Sequence, residues 1–112
     1  MDVESARTQI AEEFAKARDA QRRGNEGMVR VCARRAAGIA LRTWFAAHGR
    51  KPPLHDAIRL LRDVVSNESL PAAVREAAER LTTRVTEHFT SPFSTHPLDD
   101  ATIIINYFLE QL

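Results

Sequence analysis

Residues 28–49, MVRVCARRAAGIALRTWFAAHG, decide the fold. Placed on a helical wheel at about 100° per residue, Met28, Val29, Cys32, Ala33, Ala36, Ala37, Ile39, Ala40, Leu41, Thr43, Trp44 and Ala47 fill most of the circumference. Arg34, Arg35 and Arg42 share the narrow remaining sector with Gly38. A helix this apolar has to be covered on two or more sides. It is the predicted centre of an all-α domain.

Outward from this stretch, the chain resolves into further helices. Val3, Ala6, Ile10, Phe14 and Ala17 have the spacing of a one-sided amphipathic helix, starting near Asp2 or Ser5 and running to about Arg23. Glu12 and Lys16 stand four apart as a favourable pair on its wet side. Gly24 suits the left-handed position after the helix end, and the short Gly24–Gly27 break predicts an antiparallel hairpin with the central helix. Pro52 and Pro53 stop the central helix just past His48 and Gly49.

A shorter third helix is predicted from about Leu54 to Val65, and Ser66-Asn67-Glu68-Ser69 is a turn cluster. Pro71 opens a fourth helix carrying Val74, Ala77, Ala78, Leu81, Val85 and Phe89, with Arg75–Glu79 and Glu76–Arg80 as exposed pairs. Residues 90–97 form a loop that Phe93 anchors, and a last helix begins at or just before Asp99 and runs to the C-terminus. The Ile103-Ile104-Ile105 run is β-prone alone, but its context favours helix. The expectation is an up-and-down bundle of four main helices plus one shorter helix, in one domain spanning residues 1–112.

Composition narrows the function classes. The 112 residues are 44% hydrophobic and 28% charged, the balance of a globular protein. A single cysteine, Cys32, excludes an intrachain disulfide and falls in the apolar arc, as a core thiol does. No apolar run reaches the ~18 residues of a membrane span, and residues 1–10 lack a signal-peptide core, so a cytoplasmic location is expected. The histidines His48, His55, His88 and His96 never stand four apart, and no glycine-rich phosphate loop is present, so neither a metal nor a cofactor is expected.

Charge is unevenly placed. Residues 18–51 carry nine basic and two acidic side chains, a balance of +7, whereas residues 1–17 stand at −2 and residues 52–112 at −4. Such a basic third suits an anionic partner or self-complementary association; solvated helix faces give the same pattern. Gly38 sharpens the question, because glycine inside a helix costs ~1 kcal/mol relative to alanine. Either another helix or a second subunit approaches closely there, or Arg34, Arg35 and Arg42 rim a notch for a phosphate or ribose. Arg50 and His55 extend that candidate anion site, although His55 beside Asp56 equally suits a helix start.

The run ARRAAGIALRTWFAAHGRKPPLHDAIRLLRDV (33–64) resembles the helix–loop–helix of HEPN-domain proteins. Ala36, Ala37, Ala40, Leu41 and Arg42 match its small-residue helix. Gly49, Pro52 and Pro53 match its loop, and His55-Asp56-Ala57 the next helix start. The hairpin from Ala17 to Gly24 and the late loop SPFSTHPLDDA (91–101) are also similar. The resemblance implies a frequently dimeric bundle that acts on nucleotides or RNA, often beside a nucleotidyltransferase.

Many members are ribonuclease toxins with four to six residues between an arginine and a histidine. Arg42 and His48 fit that bare spacing, as do Arg50 and His55, but Thr43 and Lys51 stand where the family places Asn, Asp or His. Both pairs also flank the second helix, whereas the family's motif belongs near the fourth. There Arg84 and His88 have three residues between them, and Arg80 and His88 have seven. The resulting expectation is a non-catalytic HEPN-like module that dimerises and binds a nucleotide, RNA or a nucleotidyltransferase partner. The alternatives are a ribonuclease toxin of a toxin–antitoxin pair using His48 or His55, and a plain helical protein–protein interaction domain.

Overall fold

A computed structural model describes residues 2–51, 56–84 and 95–112. Among the described residues the protein is an all-α bundle of five helices with no strand. They are α1 (Val3–Arg22), α2 (Glu26–Ala47), α3 (Ala57–Ser66), α4 (Ala72–Thr82) and α5 (Pro97–Leu109). The central helix is α2, which packs on α1, α5 and α3 and also touches α4. Its apolar arc is covered as its breadth demands: Val29, Cys32, Ala33, Ala36, Ala37, Ile39, Ala40 and Leu41 are all buried.

Local chemistry sets each boundary. The Asp2 side chain accepts from the Ser5 N–H at 2.7 Å and starts α1; Asn25 does the same for α2 through Met28. Both long helices end in a Schellman turn. Gly24 (φ 73°) donates to the Gln21 carbonyl while Asn25 donates to that of Ala20. Gly49 (φ 67°) donates to Ala46 and Arg50 to Phe45. Carbonyls of the last turn are satisfied at each end. Asp56 Oδ1 accepts from Ile58 N–H to begin α3, and His96 Nδ1 from Leu98 N–H to begin α5, with Pro97 in its first position.

The structure departs from the sequence expectation in three places. First, α4 begins after Pro71 and stops at Thr82, so it is scarcely longer than α3; Val85, Phe89 and Phe93 lie outside the described residues. The stop has a visible cause. Thr83 is extended, and Thr82 and Thr83 turn their hydroxyls back onto the carbonyls of Ala78 and Glu79. The final carbonyls of α4 are taken by an arginine of α2.

Second, Lys16 pairs with Glu13 at 3.4 Å, because Glu13 is the carboxylate that lies against the core. Third, Arg80 turns away from Glu76 to reach Asp100 on α5 at 2.8 Å, where a buried carboxylate offers a stronger partner than an exposed one; Arg75 donates to the Leu70 carbonyl instead of pairing with Glu79. Gly38 follows the first of its two sequence readings, the close approach of another helix: it is buried beneath α3. A Cβ at that position would stand 3.0 Å from the Ala57 Cβ. Glycine there permits the close approach of a helix, and the space a phosphate would need is occupied by Ala57.

The isoleucine run is helical because its period matches the bundle: Ile104 and Ile105 face the core while Ile103 is exposed. No helix among the described residues is long and apolar enough to cross a membrane.

Candidate functional site

A groove of about 600 Å³ opens where the N-terminal half of α2, the start of α3 and the end of α4 meet. Arg30 and Arg34 enter from α2, Arg62 from α3, and Arg84 from just beyond α4. Val31, Ile58 and Leu81 supply an apolar wall, and Asn25, Thr82 and Thr83 supply polar edges. Among the described residues, no carboxylate lines this groove. The α2 N-terminus, with its partial positive charge, also borders it through Asn25, Gly27 and Met28.

The arginines are not equivalent. Arg30 is only 7% exposed, and one of its nitrogens, Nη2, donates to the carbonyls of Arg80 (2.9 Å), Leu81 (3.2 Å) and Thr83 (2.8 Å). It therefore caps α4 and neutralises the negative end of that helix dipole. Arg34, one turn further along α2, reaches the Leu81 carbonyl through Nη1 at 3.3 Å. Burial pushes the pKa of both guanidinium groups below the ordinary arginine value. For Arg34 the Arg30 charge acts in the same direction and Asp56 opposes it; for Arg30 the opposing charge is Asp100. Two partly desolvated cations held side by side are a site that gains from an incoming anion. Arg62 and Arg84 are exposed and make no ion pair with a described carboxylate.

Behind the groove, Asp100 anchors the arrangement. It is 3% exposed, accepts from Arg80 Nε and Nη2 at 2.9 and 2.8 Å, and accepts from the Thr95 hydroxyl at 3.2 Å. Hydrogen bonding to that carboxylate pushes the Arg80 pKa up. The pair ties α4 to α5, so the α4 end that Arg30 grips is held from both sides.

Of the described residues singled out from sequence, the structure brings only Arg34 into this groove. Arg35 is exposed and Arg42 half-buried with its guanidinium beside Gly38; neither lines the groove. Arg50 borders a different cavity, and His55 lies outside the described residues, as does His88. His48 is exposed, stacks on Trp44 with ring centroids 4.2 Å apart, and shares a hydrogen bond between Nδ1 and the Trp44 carbonyl. His96 is the α5 cap. Neither of these two histidines lines the arginine groove.

Sequence reasoning missed Arg30, Arg62 and Arg84. The i,i+4 spacing of Arg30 and Arg34 is a signal that they share a face, and Ile58 and Arg62 repeat it on α3. Among the described residues no group of three or more histidine, cysteine or acidic side chains could hold a metal ion. No protein-family model, curated protein or solved structure matches the chain.

Proposed function

We propose that this protein is a non-catalytic helical module that binds the phosphate groups of a nucleotide or RNA in the arginine groove. The observation that carries this reading is the convergence of Arg30, Arg34, Arg62 and Arg84 from three parts of the fold onto one groove, with no carboxylate among its described lining. Guanidinium groups suit phosphate oxygens bidentately, and a groove of this size admits a nucleotide. The non-catalytic assignment rests on the sequence, where Arg84 and His88 have three residues between them and Arg80 and His88 have seven, outside the four to six of the ribonuclease motif. The HEPN-like pattern supports the same ligand class, and adds a second copy of the chain and a nucleotidyltransferase as partners to test.

The test is equilibrium binding of labelled ATP and of a short single-stranded RNA, at low and at moderate salt. Wild type is compared with the double variant Arg34→Glu/Arg62→Glu and with Arg35→Glu, which changes the same charge outside the groove. Binding that weakens with salt, disappears in the double variant and survives Arg35→Glu is the expected result. RNA identifies itself by the steeper salt dependence, since more phosphates are neutralised. No binding of either probe at low salt, or equal loss in Arg35→Glu, overturns the proposal.

A further inference from the structure

A second cavity, of about 270 Å³, lies on the other side of α3 and is built differently. Its walls are Leu41, Trp44 and Phe45 of α2, Leu60 and Val64 of α3, Leu70, and Phe108 of α5. Leu41, Leu60, Val64 and Phe108 are buried core residues, so this wall is rigid. Trp44 is fixed edge-to-face against Phe108 at 5.7 Å between centroids. Its Nε1–H is fully buried and has no hydrogen-bond partner among the described residues.

The rim supplies two more donors. The Arg50 backbone N–H is bonded to the Phe45 carbonyl by the Schellman turn, which holds Arg50 at the mouth. Asn67 Oδ1 accepts both the Ser69 N–H and its hydroxyl, at 3.1 and 2.6 Å, which fixes the amide and leaves its NH₂ as a donor. Among the described residues Asp63 is the one carboxylate on this rim, and no ion pair joins it to Arg50. The volume falls just below the roughly 300–1,000 Å³ of drug-sized sites, which limits the guest to a small molecule.

We infer that this cavity is a binding site for a small carboxylate with an apolar or aromatic body, distinct from the arginine groove and independent of what that groove binds. The body lies against Leu41, Leu60, Val64 and Phe108; the carboxylate meets Arg50 and Asn67 at the mouth. Asp63 opposes a second negative charge, so the guest is a monocarboxylate.

Trp44 is the sole tryptophan of the chain and lines this cavity, so its emission reports on this part of the molecule. The experiment titrates the intact protein with 3-phenylpropanoate and, separately, with phenethylamine, a similar body bearing a cation. Trp44 emission and the melting temperature are read together. Saturable change in emission and a raised melting temperature with the carboxylate, at least about tenfold weaker with the amine, are expected. Arg50→Gln weakens the carboxylate by about tenfold, the effect of removing one charge-assisted hydrogen bond. Absence of saturation up to millimolar carboxylate, an amine that binds as well, or Arg50→Gln without effect each overturns the proposal.

Discussion

One ten-residue helix divides two cavities of opposite chemistry. Ile58 and Arg62 of α3 border the arginine groove, while Leu60, Asp63 and Val64 of the same helix border the aromatic pocket. In the groove, cations arrive from α2, α3 and the α4 end, and apolar residues only back them. In the pocket, core residues form the body and polar groups stand at the mouth. The two sites therefore select by different physics. Charge density chooses the guest of the first and screens with salt; shape and burial choose the guest of the second and do not.

The contrast is most vulnerable at Arg30, the side chain that builds the groove without being free to serve it. Arg30→Ala removes the donor for three carbonyls at the end of α4, all of them in bonds that are at least partly buried. A hydrogen bond to a charged group contributes about 1.5–3 kcal/mol, and the stranded carbonyls add to the loss. A destabilisation of about 3 kcal/mol is expected, measured as a lower denaturant midpoint at unchanged m-value. A change below about 0.5 kcal/mol, the size expected at an ordinary surface position, shows that Arg30 does not hold α4.

Next in size is the wall itself. Gly38→Val places a branched side chain where even a single Cβ would meet Ala57 at 3.0 Å. Overpacking of this kind costs roughly 1–3 kcal/mol, and the helix-propensity gain over glycine offsets only part of it. About 2 kcal/mol is expected from denaturant unfolding. Because α3 borders both cavities, Gly38→Val weakens phosphate-bearing and carboxylate guests together. The second-site change Ala57→Gly recovers part of the stability. Loss at one cavity with the other intact shows that α3 is not their common wall.

The same two regions show how much of the molecule is legible in its sequence. The bundle is legible because long helices advertise their period: Ala6, Ile10 and Ala17 of α1, and Val29 to Leu41 along the apolar arc of α2, are buried where the wheel places them. Gly24 and its turn are legible because a left-handed residue leaves few choices. The end of α4 is not, because Arg30 stops it from fifty residues away through hydrogen bonds that no local pattern records. For the same reason Arg34 can be singled out while Arg62 and Arg84 cannot. They join it through the packing of α3 and α4, which periodicity within one helix does not describe. Arg35 and Arg42 show the converse: they share one sector of α2 with Arg34, yet neither borders the groove.

A reference point away from both cavities is Cys32, wholly buried on α2 and bordering neither. Burial, reinforced by the Glu13 charge, pushes its thiol pKa above the ordinary 9.0. A raised folded-state pKa means that the thiol's contribution is fully present below the ordinary value and is lost as pH rises through the folded one. Stability is therefore expected to fall on the alkaline side, and Cys32→Ala flattens that limb after a constant loss for the smaller side chain. Ligands of either cavity leave the slope of the limb unchanged. An alkaline limb identical in the variant shows that other groups cause it.

The mildest change also separates building a site from serving it. Arg62 and Arg84 line the groove as Arg30 does, but both are exposed and neither pairs with a described carboxylate. Arg62→Ser/Arg84→Ser is expected to change unfolding free energy by no more than about 0.5 kcal/mol, the range of ordinary surface positions. Two cations gathered at one groove repel each other, so the sign can favour the variant at low salt. The binding readout moves the other way: for every arginine removed from a phosphate, the salt slope falls by about one. A stable variant with an unaltered salt slope would place the bound anion elsewhere. A variant that loses several kcal/mol would make these arginines part of the fold, as Arg30 is, and would dissolve the distinction on which the groove's assignment rests.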